Sequence, residues 1–166
     1  RRQLAKTGML RSAHMLGNGE EIILAATDLL ADTKLAPELS NEAHYYRAKA
    51  YLDAGKTEAA MEDLMVLAKD TRNVYGAEAK YKVAQIYFDG GQTDKAEQEV
   101  LNYIEVSTPH TYWLARSFVL LADVYMKLGR NLDAKQYLLS LKQNYQADDD
   151  IAGMIESRLE KLKIEN

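Results

Sequence analysis

The sequence predicts an all-α fold, an array of antiparallel helix pairs, and three observations carry that prediction. Tyr51, Leu52, Asp53, Ala54 and Gly55, with Ala60 at a fixed offset, return as Tyr87 to Gly91 with Ala96 and as Tyr125 to Gly129 with Ala134. Self-similarity of this kind marks a chain built from stacked copies of one supersecondary unit. Apolar residues three and four apart run up to each tyrosine, the spacing of one helix face. Only two prolines occur in 166 residues, against abundant Ala, Leu, Glu, Lys and Gln, so helix is allowed over most of the length.

Each copy reads as a tight helical hairpin. Gly55, Gly91 and Gly129 are placed to take the left-handed conformation that closes a helix, and Thr57, Thr93 and Asn131 to cap the next one. Glu58 and Asp94 put negative charge near the positive end of the second-helix dipole. Early in each second helix Ala60, Ala96 and Ala134 let the first helix come close, while Tyr51, Tyr87 and Tyr125 fill the adjoining space. Ala48, Ala84 and Ala122, three residues before those tyrosines, complete a small-against-large pattern. Leu64 and Leu67, Val100 and Tyr103, and Leu138 and Leu141 form the apolar stripes of the second helices.

In chain order the pattern gives helices over 2–16, 20–33, 38–54, 57–70, 76–89, 93–106, 109–128, 131–145 and 149–163. The copies are 36 and then 38 residues apart, and projecting back by 36 from Gly55 reaches Gly19. A degenerate copy therefore occupies 1–36, with Met15 at the tyrosine position and Leu24 at the alanine position. Full copies follow over 37–75, 76–108 and 109–147, all within one domain. Pro109 after Thr108 reads as a first helical residue behind an N-cap. The last segment, 148–166, is a capping helix: Ile151, Met154, Ile155, Leu159 and Leu162 cover the end of the array, and Glu156, Arg158, Glu160 and Lys161 face water.

Composition narrows the function. A formal charge of -4 and a pI near 5.4 argue against a domain built to grip phosphate backbones, so nucleic acid is not an expected partner. The longest apolar runs, Ile22 to Ala26 and Phe118 to Ala122, fall far short of the roughly 20 residues of a spanning helix. With no cysteine there are no disulfides and no thiolate metal sites. The chain opens on Arg1 and Arg2 with no initiator Met and no following apolar segment, and reads as an excised piece of a longer protein.

The Gly-x4-Ala step, the tyrosine four residues before the glycine and the small residue three before that tyrosine resemble the tetratricopeptide repeat. The likeness covers 38–145 well and 1–33 loosely. Spacings of 36 and 38 exceed the family's usual 34, and the proline that often closes a repeat is largely missing. The strings GAEAKYKVAQIYFDGGQTDKAE, TPHTYWLARSFVLLADVY and AKQYLLSLKQNY look like the C-terminal part of large many-repeat TPR proteins of Gram-negative bacteria. The resemblance implies a right-handed superhelical α-solenoid, further repeats upstream, and a cell-envelope location, with the cytoplasm as the alternative.

In that family the first helices line a concave groove that holds a protein or peptide. The matching positions here are Glu42, Tyr45, Lys49, Leu52 and Asp53, then Glu78, Tyr81, Gln85, Phe88 and Asp89, then Arg116, Val119, Asp123, Met126 and Lys127. Tyr45, Tyr81 and Phe88 have two open readings, rings that grip a partner or rings that pack between repeats. The basic clamp with which some members hold a C-terminal carboxylate is missing, and the mixture of Glu42, Glu78 and Asp123 with single cations suits a mixed or basic partner better. An end-cap or self-association role without a groove is the alternative, and a homo-oligomer stays open with it.

No enzyme is expected, because no nucleophile with a base, metal cluster or phosphate loop emerges, and no cofactor or metal is implied. His14, His44 and His110 lie in different copies and make no local ligand pair. Asp148, Asp149 and Asp150 lack the alternation of a calcium loop and read as the cap of the last helix. Gly90 with Gly91 is a turn rather than a phosphate cradle. Trp113, beside Tyr112, reads as a wedge filling the space that the longer spacing creates.

Overall fold

The computed structural model describes residues 2–165, and over these nine helices follow one another: α1 (Arg2–Met15), α2 (Gly19–Leu30), α3 (Pro37–Asp53), α4 (Thr57–Leu67), α5 (Val74–Asp89), α6 (Thr93–Val106), α7 (Thr111–Lys127), α8 (Asn131–Asn144) and α9 (Ile151–Glu165). They pack as sequential helix pairs, as the repeat predicts. The chain forms two compact units, Arg1–Ala79 and Lys80–Asn166, divided within α5. In the first, α1 packs on α2, α2 on α3 and α3 on α4. Its core gathers Leu10, Ile22, Ala26, Leu29 and Ala43. In the second, α6 packs on α7, α7 on α8, and α9 on both α7 and α8. Val100, Tyr103, Leu121, Leu138, Ile151 and Ile155 form its core.

The packing residues behave as the repeat requires. Ala48, Ala60, Ala84, Ala96, Ala122 and Ala134 are all at most 1% exposed, so none has room for a larger side chain. Tyr125 is buried, and Tyr51 and Tyr87 are half-buried.

The hairpin turns share one hydrogen-bond pattern. Gly55, Gly91 and Gly129 have φ of 75°, 79° and 77°, the left-handed region that a side chain disfavours. The N–H of the next residue donates back to the tyrosine carbonyl in each case: Lys56 to Tyr51, Gln92 to Tyr87 and Arg130 to Tyr125, all at 2.8 Å. Each glycine N–H donates two residues nearer, to Leu52, Phe88 and Met126. This pair of bonds is the Schellman closure, which satisfies the last helix carbonyls without any side chain.

Because the turn closes so tightly, the expected caps shift. Thr57, Thr93 and Asn131 are the first helical residues, and the cap positions belong to Lys56, Gln92 and Arg130, which make no side-chain cap bond. The degenerate copy also shifts register. Its turn glycine is Gly17, with φ of 67°, and Asn18 donates its N–H to Ala13 at 3.1 Å. Asn18 Oδ1 then accepts from Glu21 N, giving α2 the side-chain cap that the other hairpins lack. Ala13 thus holds the tyrosine position and Ile22 the alanine position, both buried, whereas Met15 and Leu24 are 86% and 64% exposed.

Local side-chain bonds set the remaining helix ends. Asp32 accepts from Lys34 N and Asp70 from Arg72 N, turning the chain out of α2 and α4 a few residues before their expected ends. Asn73 accepts from Tyr75 N and starts α5 two residues early. Thr108 accepts from His110 N, which leaves Pro109 in the turn, and α7 begins at Thr111. Asp149 accepts from Ile151 N at 2.9 Å, the capping role expected of the aspartate run.

Candidate interaction face

In the first unit, the α3 positions expected in a groove are bonded into their surroundings. Arg11 forks onto Glu42 with bonds of 2.8 and 2.9 Å. The Tyr45 hydroxyl donates to Glu78 Oε1 at 2.8 Å, and Lys49 Nζ donates to the same hydroxyl at 3.2 Å. The Tyr45 ring stacks on Tyr75 at 4.3 Å, and His14 stacks on Tyr46 at 4.0 Å. Burial and then the bond to Glu78 push the Tyr45 phenol well above its ordinary range. The half-buried Tyr45 ring is thus engaged in packing within the unit, against Tyr75 and beside Glu78. Glu78 is 8% exposed, which removes it from the accessible positions. Leu52 is half-buried, and Lys49 and Asp53 are exposed.

Beneath that layer lies a buried ion cluster. Asp63 in α4 is 1% exposed, and it takes Arg47 Nη2 and His44 Nδ1 on one oxygen at 2.7 Å each and Arg47 Nε on the other at 2.9 Å. Arg47 also donates to Thr27 Oγ1 at 3.0 Å, so α2, α3 and α4 are tied through one guanidinium. Burial pushes the Asp63 carboxyl up, and the bonds from His44 and Arg47 outweigh it, leaving the group below the usual carboxylate range.

In the second unit, Tyr81 is 6% exposed and so is not presented to a partner. Arg116 lies over its ring, 4.8 Å from the centroid, and donates to its hydroxyl at 3.0 Å. Tyr112 accepts from Arg116 and donates to Asp150, while Trp113 lies edge-on to Tyr112 with centroids 5.0 Å apart. Trp113 thus packs, partly buried, against Tyr81 and Tyr112, and Arg116 is its cationic neighbour rather than a free groove charge. Gln85 accepts from the Tyr81 hydroxyl and donates to Asp89. Val119 is buried in the core.

The remaining α5 and α7 positions converge. Phe88, Asp123, Met126 and Lys127 line a hollow of about 570 Å³, closed on its other side by Ser157, Arg158 and Lys161 of α9. Arg158 does not simply face water: its Nε and Nη2 fork onto Asp123 at 2.8 and 3.0 Å, and Nη1 donates to the Met154 carbonyl. Lys161 is exposed as expected. The α9 residues are what the register of first helices left out. Their signal in the sequence is the spacing of Met154, Arg158 and Lys161, which returns every three or four residues to one face.

Residues 115–143, covering most of α7 and α8, match the tetratricopeptide repeat model. The fold is that of TPR-like repeats. A crystal structure of nearly identical TPR-like repeats named for a kinesin light chain of Podosopora anserina superposes with a TM-score of 0.59 at 16% identity, covering 98% of this chain and 94% of that one. A single-substitution form of those repeats gives a TM-score of 0.61 at 16% identity over 98% of this chain and 93% of the other. No curated protein sequence matches the chain. Among the described residues, no helix is long and apolar enough to cross a membrane.

Proposed function

We propose that the chain is a protein-interaction scaffold whose partner docks on the first-helix face, and that α5 and α7 of the second unit carry the contact. One observation supports this above others: four positions that the repeat register assigns to a groove line a single hollow. Phe88 and Met126 give it apolar surface, and Lys127 stands exposed at its edge. TPR-like repeats are generally interaction modules. The repeats over 1–36, 37–75, 76–108 and 109–147 with the cap over 148–166 are the units of this scaffold. The solved structures that the chain resembles are fungal, so a place within a longer chain in the cell envelope rests on the sequence strings alone.

The test is affinity capture from an extract of the source organism on wild-type chain and on Phe88→Ala with Met126→Ala. The scaffold reading requires a specific partner that the folded double variant loses. Identical captured sets would turn the reading toward the end-cap alternative, in which the face has no ligand.

A further inference from the structure

We propose that the hollow between α5, α7 and α9 selects an acidic segment of a partner protein, one that presents an apolar side chain beside Asp or Glu. This rests on the concave-face reading and gives it a partner chemistry. Charge sets the sign of the ligand. Asp123 is the hollow's one carboxylate, and Arg158 satisfies both of its oxygens. That fork cancels one pair of charges within the protein. Lys127 and Lys161 are left, both exposed and without an ion pair among the described residues.

The hollow is thus locally positive on a chain whose formal charge is -4, and a basic segment would meet uncompensated like charge. The first helices alone offer Asp123 against Lys127 and look neutral. Only the fold, by carrying α9 across, neutralises Asp123 and adds Lys161.

The apolar half of the chemistry comes from Phe88 and Met126, which are partly buried against the core and reach the hollow. A thioether side chain adapts its shape to the group it meets. An aliphatic or aromatic anchor on this surface, with its neighbouring carboxylate between the two ammonium groups and Ser157 as a hydroxyl donor, uses every free group present. A polyanion without the anchor uses only the lysines.

A random-peptide display library selected on the full chain tests this, with the enriched peptides measured by fluorescence anisotropy. The proposal requires an enriched pattern of apolar residues next to Asp or Glu. Lys127→Glu with Lys161→Glu should weaken those peptides by about tenfold or more, since two favourable charge contacts become repulsive. Lys135→Glu on α8 should leave them unchanged. Both target lysines are exposed, so an unaltered circular-dichroism melt verifies the fold.

Enrichment of basic or uncharged peptides would overturn the proposal, as would displacement by polyglutamate as effective as that by the peptide itself. Peptides weakened by Phe88→Ala yet indifferent to the lysine changes would overturn it while sparing the interaction face. Peptides indifferent to both, or no enrichment, would overturn both readings.

Discussion

Asp63 ties α3 to α4 in the first unit, because one buried carboxylate holds two cationic or polar side chains from α3. Removing it leaves Arg47 and His44, both largely covered, without the carboxylate they share. Asp63→Ala should therefore lower stability by about 3 kcal/mol, read from denaturant midpoints at constant slope. The carboxyl is depressed in the folded state, so its contribution is complete above pH of about 4 and fades as pH falls through the folded value. The loss caused by Asp63→Ala should accordingly shrink in acid. Tyr103 and Tyr145 have the opposite sign. Burial raises both phenols to about 12, with the bond to Asp149 adding to the effect in Tyr145. Their contribution is complete below pH of about 10 and is lost as pH rises toward the folded values. A tyrosinate absorbance titration should find part of the signal delayed beyond that of free tyrosine, and a delay abolished in denaturant.

Between elements, the glycine with the tightest backbone surroundings is Gly76, in the first turn of α5. A Cβ there would lie 1.9 Å from the Asp70 carbonyl oxygen and 2.6 Å from that of Leu67. Backbone cannot yield as a side-chain tip does, so Gly76→Ala should destabilise by about 3 kcal/mol or more. Ala96→Leu, which overfills the α5 and α6 hairpin, should cost about 1–3 kcal/mol, and an unchanged melting temperature would contradict the packing described. The contrast between these glycines explains what was legible. Gly55, Gly91 and Gly129 recur at one place in a repeated phrase, and the three turns follow from that. Gly76 has no repeated counterpart, and its necessity comes from a neighbouring carbonyl six residues away. At the N-terminus, Gly17 and Gly19 flank Asn18, and a fixed period of 36 selected the wrong one because the true step to Gly55 is 38 residues. Helix ends moved for a related reason, since Asp32, Asp70, Asn73 and Thr108 bond their own backbone two residues on.

Across the whole molecule, periodicity carries the helix pairs, because every hairpin answers to the same local constraints. The interaction face is only partly local. Phe88, Met126 and Lys127 fall in register on first helices, but Arg158 reaches Asp123 from 35 residues away, and no repeat encodes that pairing. The same is true of Tyr81, whose groove-facing register is overridden by the guanidinium of Arg116 from the following repeat. A first-helix position is therefore accessible only where its neighbours have not already engaged it, and in the second unit that condition leaves the hollow around Phe88. Site-specific photocrosslinking to the protein partner decides whether that hollow is the contact, with the crosslinker placed at Lys127 or at Lys135, both exposed. A partner docked in the hollow gives an adduct from Lys127 and none from Lys135. Equal adducts from both, or an adduct from Lys135 alone, would contradict the hollow as the docking face.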